Sequence, residues 1–108
     1  MLASLTEEAE AIGWYEQRIA IEPDPEAAAV MRDAVGEEYK HFSMDLEFLL
    51  RRTPVWRETA RGILFQPGDI VANGEAAEKA AGEAEEQASQ GGDEGTGTLV
   101  IGSLRSAD

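Results

Sequence analysis

The chain of 108 residues contains no cysteine, a single histidine (His41), and nine lysines and arginines against 22 aspartates and glutamates. Without cysteine there is no disulfide framework, no thiolate zinc site and no iron–sulfur cluster. The shortage of basic residues gives a formal net charge of −13 and a pI near 4.3. That balance argues against a duplex nucleic-acid partner, which requires Lys and Arg to neutralise phosphates. No apolar run approaches the roughly 18 residues of a membrane span. The first residues also lack the basic-then-apolar pattern of a secretory leader. The expectation is a cytoplasmic chain with neither nucleic acid nor membrane as partner. Such acidity suits a cationic partner, of which metal ions are the simplest case. With cysteine missing, a metal site here has carboxylates and His41 to work with.

The charge divides into two blocks. Residues 1–65 carry 13 acids and 7 bases, and every aromatic residue of the chain lies among them. Residues 75–94 carry 7 acids and one base but no Val, Ile, Leu, Met or aromatic side chain. A stretch with so little to bury predicts a self-repelling, disordered linker, with at most transient helix in its Ala/Glu part. Apolar residues return at the end, in Thr98-Leu99-Val100-Ile101-Gly102-Ser103-Leu104-Arg105. Spaced apolar anchors in an extended peptide are a docking element. A linker of about 30 residues gives that element a reach of about 30 Å. The expected organisation is a helical domain at 1–66, an acidic linker at 67–98 and a docking peptide at 99–108.

Within the first block the punctuation is helical. Ser4-x-x-Glu7 reads as a capping box, predicting a first helix from about Leu5 to Ile21. Pro23-Asp24-Pro25 ends it, and Asp24 before Pro25 is an N-cap with proline at the first helical position. The second helix then runs to about Arg52, where Arg51 and Arg52 face the negative end of the dipole. Thr53-Pro54 repeats the start signal for a short third helix to about Phe65, closed by Gln66-Pro67-Gly68. The predicted fold class is all-α: a two-helix antiparallel hairpin plus a short third helix, with a disordered acidic C-terminal tail. About 65 ordered residues bury too little apolar surface to stand comfortably alone, so self-association is expected.

Charged groups occupy the faces that should be apolar. On a helical projection, Leu5, Ile12, Tyr15 and Ile19 all fall on the same side of the first helix as Glu8. Glu38 falls among Ala27, Met31, Val35, Phe42 and Leu49, with His41 one turn along and Asp45 continuing the row. A charge so placed is costly to bury unless something pairs with it. Glu38-x-x-His41 is an i, i+3 pair that can reach one cation from one helix face. A di-iron carboxylate bundle takes one Glu from each of two helices and a Glu-x-x-His from each of two others. This chain has one of each, which is half a site. A two-fold related second copy supplies the rest and completes a four-helix bundle. Four carboxylates then balance two divalent metals, and oxygen-rich coordination with imidazole suits iron.

Glu7-Glu8-Ala9-Glu10, Trp14-Tyr15-Glu16-Gln17-Arg18, Glu37-Glu38-x-x-His41 and Arg51-Arg52 together resemble the encapsulated ferritins over roughly residues 5–66. The segment Leu99–Arg105 resembles an encapsulin targeting peptide. The resemblance implies a ferroxidase whose hairpin dimerises to form an intersubunit di-iron (Fe) centre in a ferritin-like four-helix bundle. It implies further that the homodimers assemble into a ring-shaped decamer, and that the ring oxidises Fe(II) with O2 inside an encapsulin nanocompartment, whose shell provides the storage volume. By position, Glu8, Glu38 and His41 match the iron ligands, and Tyr15 matches a residue beside the centre with Trp14 as its neighbour. Glu7 and Glu10 match acids that bind incoming metal outside the centre. Glu7 equally fits a helix-capping acid, Glu10 a solvated one, and Trp14 simple interface packing. Two other readings compete: a peroxide-reducing di-iron protein of the rubrerythrin or bacterioferritin type, and a non-catalytic helical cargo adaptor.

Overall fold

The computed structural model describes residues 1–90, and all four elements among them are helices: α1 (Leu2–Ile21), α2 (Pro25–Arg52), α3 (Pro54–Arg61) and α4 (Ile70–Gln90). They divide into two compact units, one spanning Met1–Arg52 and one beginning at Thr53. Among the described residues no helix is long and apolar enough to cross a membrane. The segment 99–108, expected to be a docking peptide, lies outside the described residues.

In the first unit α1 and α2 pack as an antiparallel hairpin. The helix α1 begins three residues before the position read from the sequence. Its ladder starts with the Leu5 N–H donating to the Met1 carbonyl at 3.0 Å, and no side chain caps it. The capping box expected at Ser4 is therefore not formed. Ser4 is already inside the first turn, where backbone ladder bonds take up the groups the box would have served. The turn follows the sequence signals closely. Glu22, restrained by the following proline, leaves the helix in an extended conformation. The Asp24 carboxylate accepts from the backbone N–H groups of Glu26 at 2.9 Å and Ala27 at 3.4 Å, with Pro25 as the first helical residue. At 28 residues α2 is the longest of the described helices. Its last turn carries Arg51, bonded to Glu47 at 2.7 Å, and Arg52, whose guanidinium lies 3.8 Å from the centre of the Phe48 ring.

This unit has a thin interior. No residue of α1 is buried, and α2 buries only Ala28, Val35 and Leu50. Those three point towards one side of α2. On the other side of Glu38, about 80–120° round the helix, Val30, Met44 and Phe48 are 65%, 61% and 37% exposed.

In the second unit Pro54 starts α3 as expected, although Thr53 contributes no side-chain cap. The helix stops at Arg61 rather than continuing to Phe65. Residues 62–65 form turns instead, and Phe65 (φ 62°) and Gly68 (φ 99°) take left-handed backbone conformations that reverse the chain. Beyond the reversal lies the largest departure from the sequence reading. The acidic stretch expected to be a flexible linker is helical as far as Gln90. Asp69 caps it, accepting from the Ala72 N–H at 2.8 Å. Alanine and glutamate are strong helix formers, and Ala77 and Ala81 are buried as α4 packs against α3. The approach is close enough to require glycine. A Cβ at Gly62 would sit 2.6 Å from the Ala77 Cβ, and neither atom can rotate away.

Gly62→Ala should therefore separate α3 from α4 and cost about 1–3 kcal/mol, the usual range for overpacking. Thermal melting followed by helical circular dichroism reads the loss, and adding Ala77→Gly should recover part of it. An unchanged melting temperature in Gly62→Ala would contradict the close packing.

Candidate metal centre

The hairpin brings residue 8 of α1 opposite the stretch of α2 that begins at residue 38. Glu38 and His41, three apart, project from neighbouring rows of one helix face. Each of Glu8, Glu38 and His41 offers one donor atom, and these atoms lie within 4.8 Å of one another. Two carboxylates and an imidazole form a mixed oxygen and nitrogen set suited to iron and similar divalent metals. Three donors from one chain leave coordination positions to be filled from elsewhere. The donor chemistry and spacing fit iron.

The electrostatics of the face point the same way. The Glu8 carboxyl is held above its ordinary range, chiefly because its protonated form can donate a hydrogen bond to Asp45. Burial and the negative charge of Asp45 add to the effect, as does the charge of Glu38, while His41 works in the opposite direction. With both acids ionised that hydrogen bond is impossible. Glu8 Oε2 and Asp45 Oδ2 are then buried acceptors with no donor. Removing two such oxygens from water without a partner is unfavourable, and a cation at the face relieves it.

The remaining candidates stand apart from this cluster. Glu7 and Glu10 are exposed on α1. Tyr15 is half-buried two turns along α1 from Glu8, its ring in edge contact with Trp14 at 5.1 Å between centroids and 81° between planes. Trp14 is exposed, and the Arg18 guanidinium lies 5.2 Å from its ring centre. Glu37, next to the cluster in sequence, is paired outward with Lys40 at 2.8 Å, which lowers its own pKa. Asp45 is the residue to which the sequence alone assigns no part. The signal for it is its place four residues after His41 on the same row.

The raised Glu8 pKa carries a sign. A carboxyl that holds its proton more tightly in the folded state contributes stability at low pH, and that contribution is lost as pH rises through the folded pKa. In metal-free protein, the gain in melting temperature from Glu8→Gln should therefore grow as pH rises above the ordinary carboxylate range, about 4.5. A pH-independent difference between the two proteins would contradict the strained carboxyl pair.

Comparison with known proteins meets this geometry. The EncFtn-like family profile matches residues 1–67, the span that holds the whole cluster. The encapsulated ferritin-like protein of Rhodospirillum rubrum is 40% identical over 105 residues, covering 96% of this chain and 74% of that protein. The ferritin-like protein of Thermotoga maritima is 38% identical over 96 residues, covering 89% of this chain and 74% of its own length. On a match of this extent, carried by the same hairpin that gathers Glu8, Glu38 and His41, the chain belongs to the EncFtn-like family.

Proposed function

We propose that the protein is a ferroxidase, oxidising Fe(II) to Fe(III) with O2 at a di-iron centre completed by two copies of the chain. The observation that carries this reading is the Glu8–Glu38–His41 cluster, a half-complement of ligands at the edge of a hairpin with almost no interior. A bundle of this kind needs two single glutamates and two Glu-x-x-His pairs, and a second copy supplies what the first lacks. The exposed Val30, Met44 and Phe48 beside the cluster give that copy an apolar strip to cover. Burying such a strip favours association at about 25 cal/mol per Å².

Glu8, Glu38 and His41 of the two chains would together hold the pair of Fe(II) ions. Four carboxylates offset the charge of two Fe(II) substrates, and hard anionic oxygen favours Fe(III) over Fe(II). Each Fe(II) gives up one electron, and the pair, with two protons, reduces O2 to hydrogen peroxide. Tyr15 lies two turns from Glu8 along α1, and Glu7 and Glu10 on the outer surface are suited to attracting incoming iron. The dimers assemble further into a ring-shaped decamer. The name of the Rhodospirillum rubrum relative, an encapsulated protein, supports a cytoplasmic location inside an encapsulin shell, with Leu99–Arg105 as the segment that docks to it.

Two experiments test the proposal. Glu38→Ala and His41→Ala should each reduce aerobic Fe(II) oxidation, followed by the ultraviolet absorbance of Fe(III), to the uncatalysed background. Wild-type rates in both variants would exclude the cluster. Deleting residues 99–108 should leave oxidation unchanged and abolish co-purification with a co-expressed shell, and continued packaging would exclude the tag.

A further inference from the structure

The chain has three methionines, Met1, Met31 and Met44. Met44 is the most open of them to solvent, at 61% against 50% for Met1, while Met31 on the same helix is half-buried. It lies three residues beyond His41, about one turn along α2 and about 60° round it. With Ser43, Glu47, Phe48, Arg51 and Arg52 it lines an open groove on the helix surface. The two arginines of that groove are engaged, Arg51 with the Glu47 carboxylate at 2.7 Å and Arg52 over the Phe48 ring at 3.8 Å. A thioether this exposed has little packing to shield its sulfur from a small oxidant, and exposure is what governs its oxidation. Met44 also belongs to the apolar strip with Val30 and Phe48, where a polar group is out of place.

We propose that Met44 is a peroxide-sensitive modification site, and that its oxidation to the sulfoxide blocks the pairing of two copies. The inference rests on the two-copy ferroxidase reading, which yields hydrogen peroxide and gives the strip to a second copy. In the reaction a sulfur lone pair attacks one peroxide oxygen. A sulfur–oxygen bond forms, the O–O bond breaks and the other oxygen leaves as water, so the thioether is oxidised as the peroxide is reduced. The sulfoxide is polar where the thioether was apolar. On the unpaired chain it stays hydrated at little cost. In the pair it has to be buried against apolar neighbours without a donor, which is unfavourable. Oxidation therefore takes place on the unpaired chain and holds it there, while Glu8, Glu38 and His41 keep their chemistry. Peroxide released by working pairs thus withdraws free chains from assembly, and reduction of the sulfoxide by methionine sulfoxide reductases returns them.

The test treats full-length, metal-free protein with hydrogen peroxide, removes the excess with catalase and maps the added oxygen by peptide mass spectrometry. Self-association is then measured anaerobically by analytical ultracentrifugation, with and without Fe(II). The chains compared are wild type, Met44→Leu, which conserves volume and cannot be oxidised, and Met44→Gln, a polar stand-in for the sulfoxide. Met44 should gain oxygen before Met31, and the dissociation constant of the pair should rise at least about tenfold, as expected for losing one buried methionine side chain. Methionine sulfoxide reductases should restore it. Met44→Leu should associate as wild type does and ignore peroxide, and Met44→Gln should associate weakly without any treatment. Oxidised wild type or Met44→Gln pairing like the untreated protein would overturn the inference and leave the ferroxidase reading standing. So would an equal peroxide effect in Met44→Leu, or a loss of helical circular dichroism on oxidation, which would place the defect in the fold. If untreated wild type does not associate with or without Fe(II), the two-copy reading and this inference both fall.

Discussion

Glu8, Glu38 and Asp45 crowd negative charge onto the face of the hairpin where a helix pair of this size would ordinarily bury leucine. Everything else about the first unit depends on how that charge is balanced. Only Ala28, Val35 and Leu50 are buried within it, so its apolar interior is too small to absorb the cost of desolvated carboxylates. Binding a cation at the face and covering the exposed strip beside it both favour the ordered hairpin. Under the proposed reading the two are linked, because whatever binds the folded, paired state preferentially also stabilises it. The same acids that weaken the isolated hairpin are thus the ones that make iron and a second copy favourable additions.

The second unit solves a similar problem without charge. The helix α4 has no large apolar residue beyond its first turn, yet it packs because alanine and glycine let two backbones approach closely. Gly62 against Ala77 substitutes proximity for side-chain bulk. Contacts at that range recover dispersion energy from small atoms, although they leave the pairing sensitive to a single added methyl group.

The legibility of the fold follows the strength of local signals. Asp24-Pro25 and Arg51-Arg52 mark their helix ends faithfully because a cap and a dipole partner act within one turn, with no competing interaction. Ser4 misleads because the chain before it supplies one more turn of backbone hydrogen bonds, and these outcompete a side-chain cap. The helix α4 escapes any reading that makes large apolar residues the requirement for order. The Asp69 cap and the alanines at 77 and 81 carry the signal in another form. At the candidate site, the i, i+3 spacing of Glu38 and His41 and the misplaced Glu8 are plain from helical angles. The contact between Asp45 and Glu8 depends on the register of α1 against α2, which no single-helix periodicity contains.

A helix the length of α4, 21 residues, keeps its two ends about 30 Å apart. A random coil of the same length averages about 25 Å and passes through every shorter distance. From the turn at 62–68 to Gln90 the chain is therefore a spacer of fixed length rather than a tether of variable length. Gln90 is held about 30 Å from that turn, so the helix sets both the distance and the direction at which the chain leaves the α3–α4 unit.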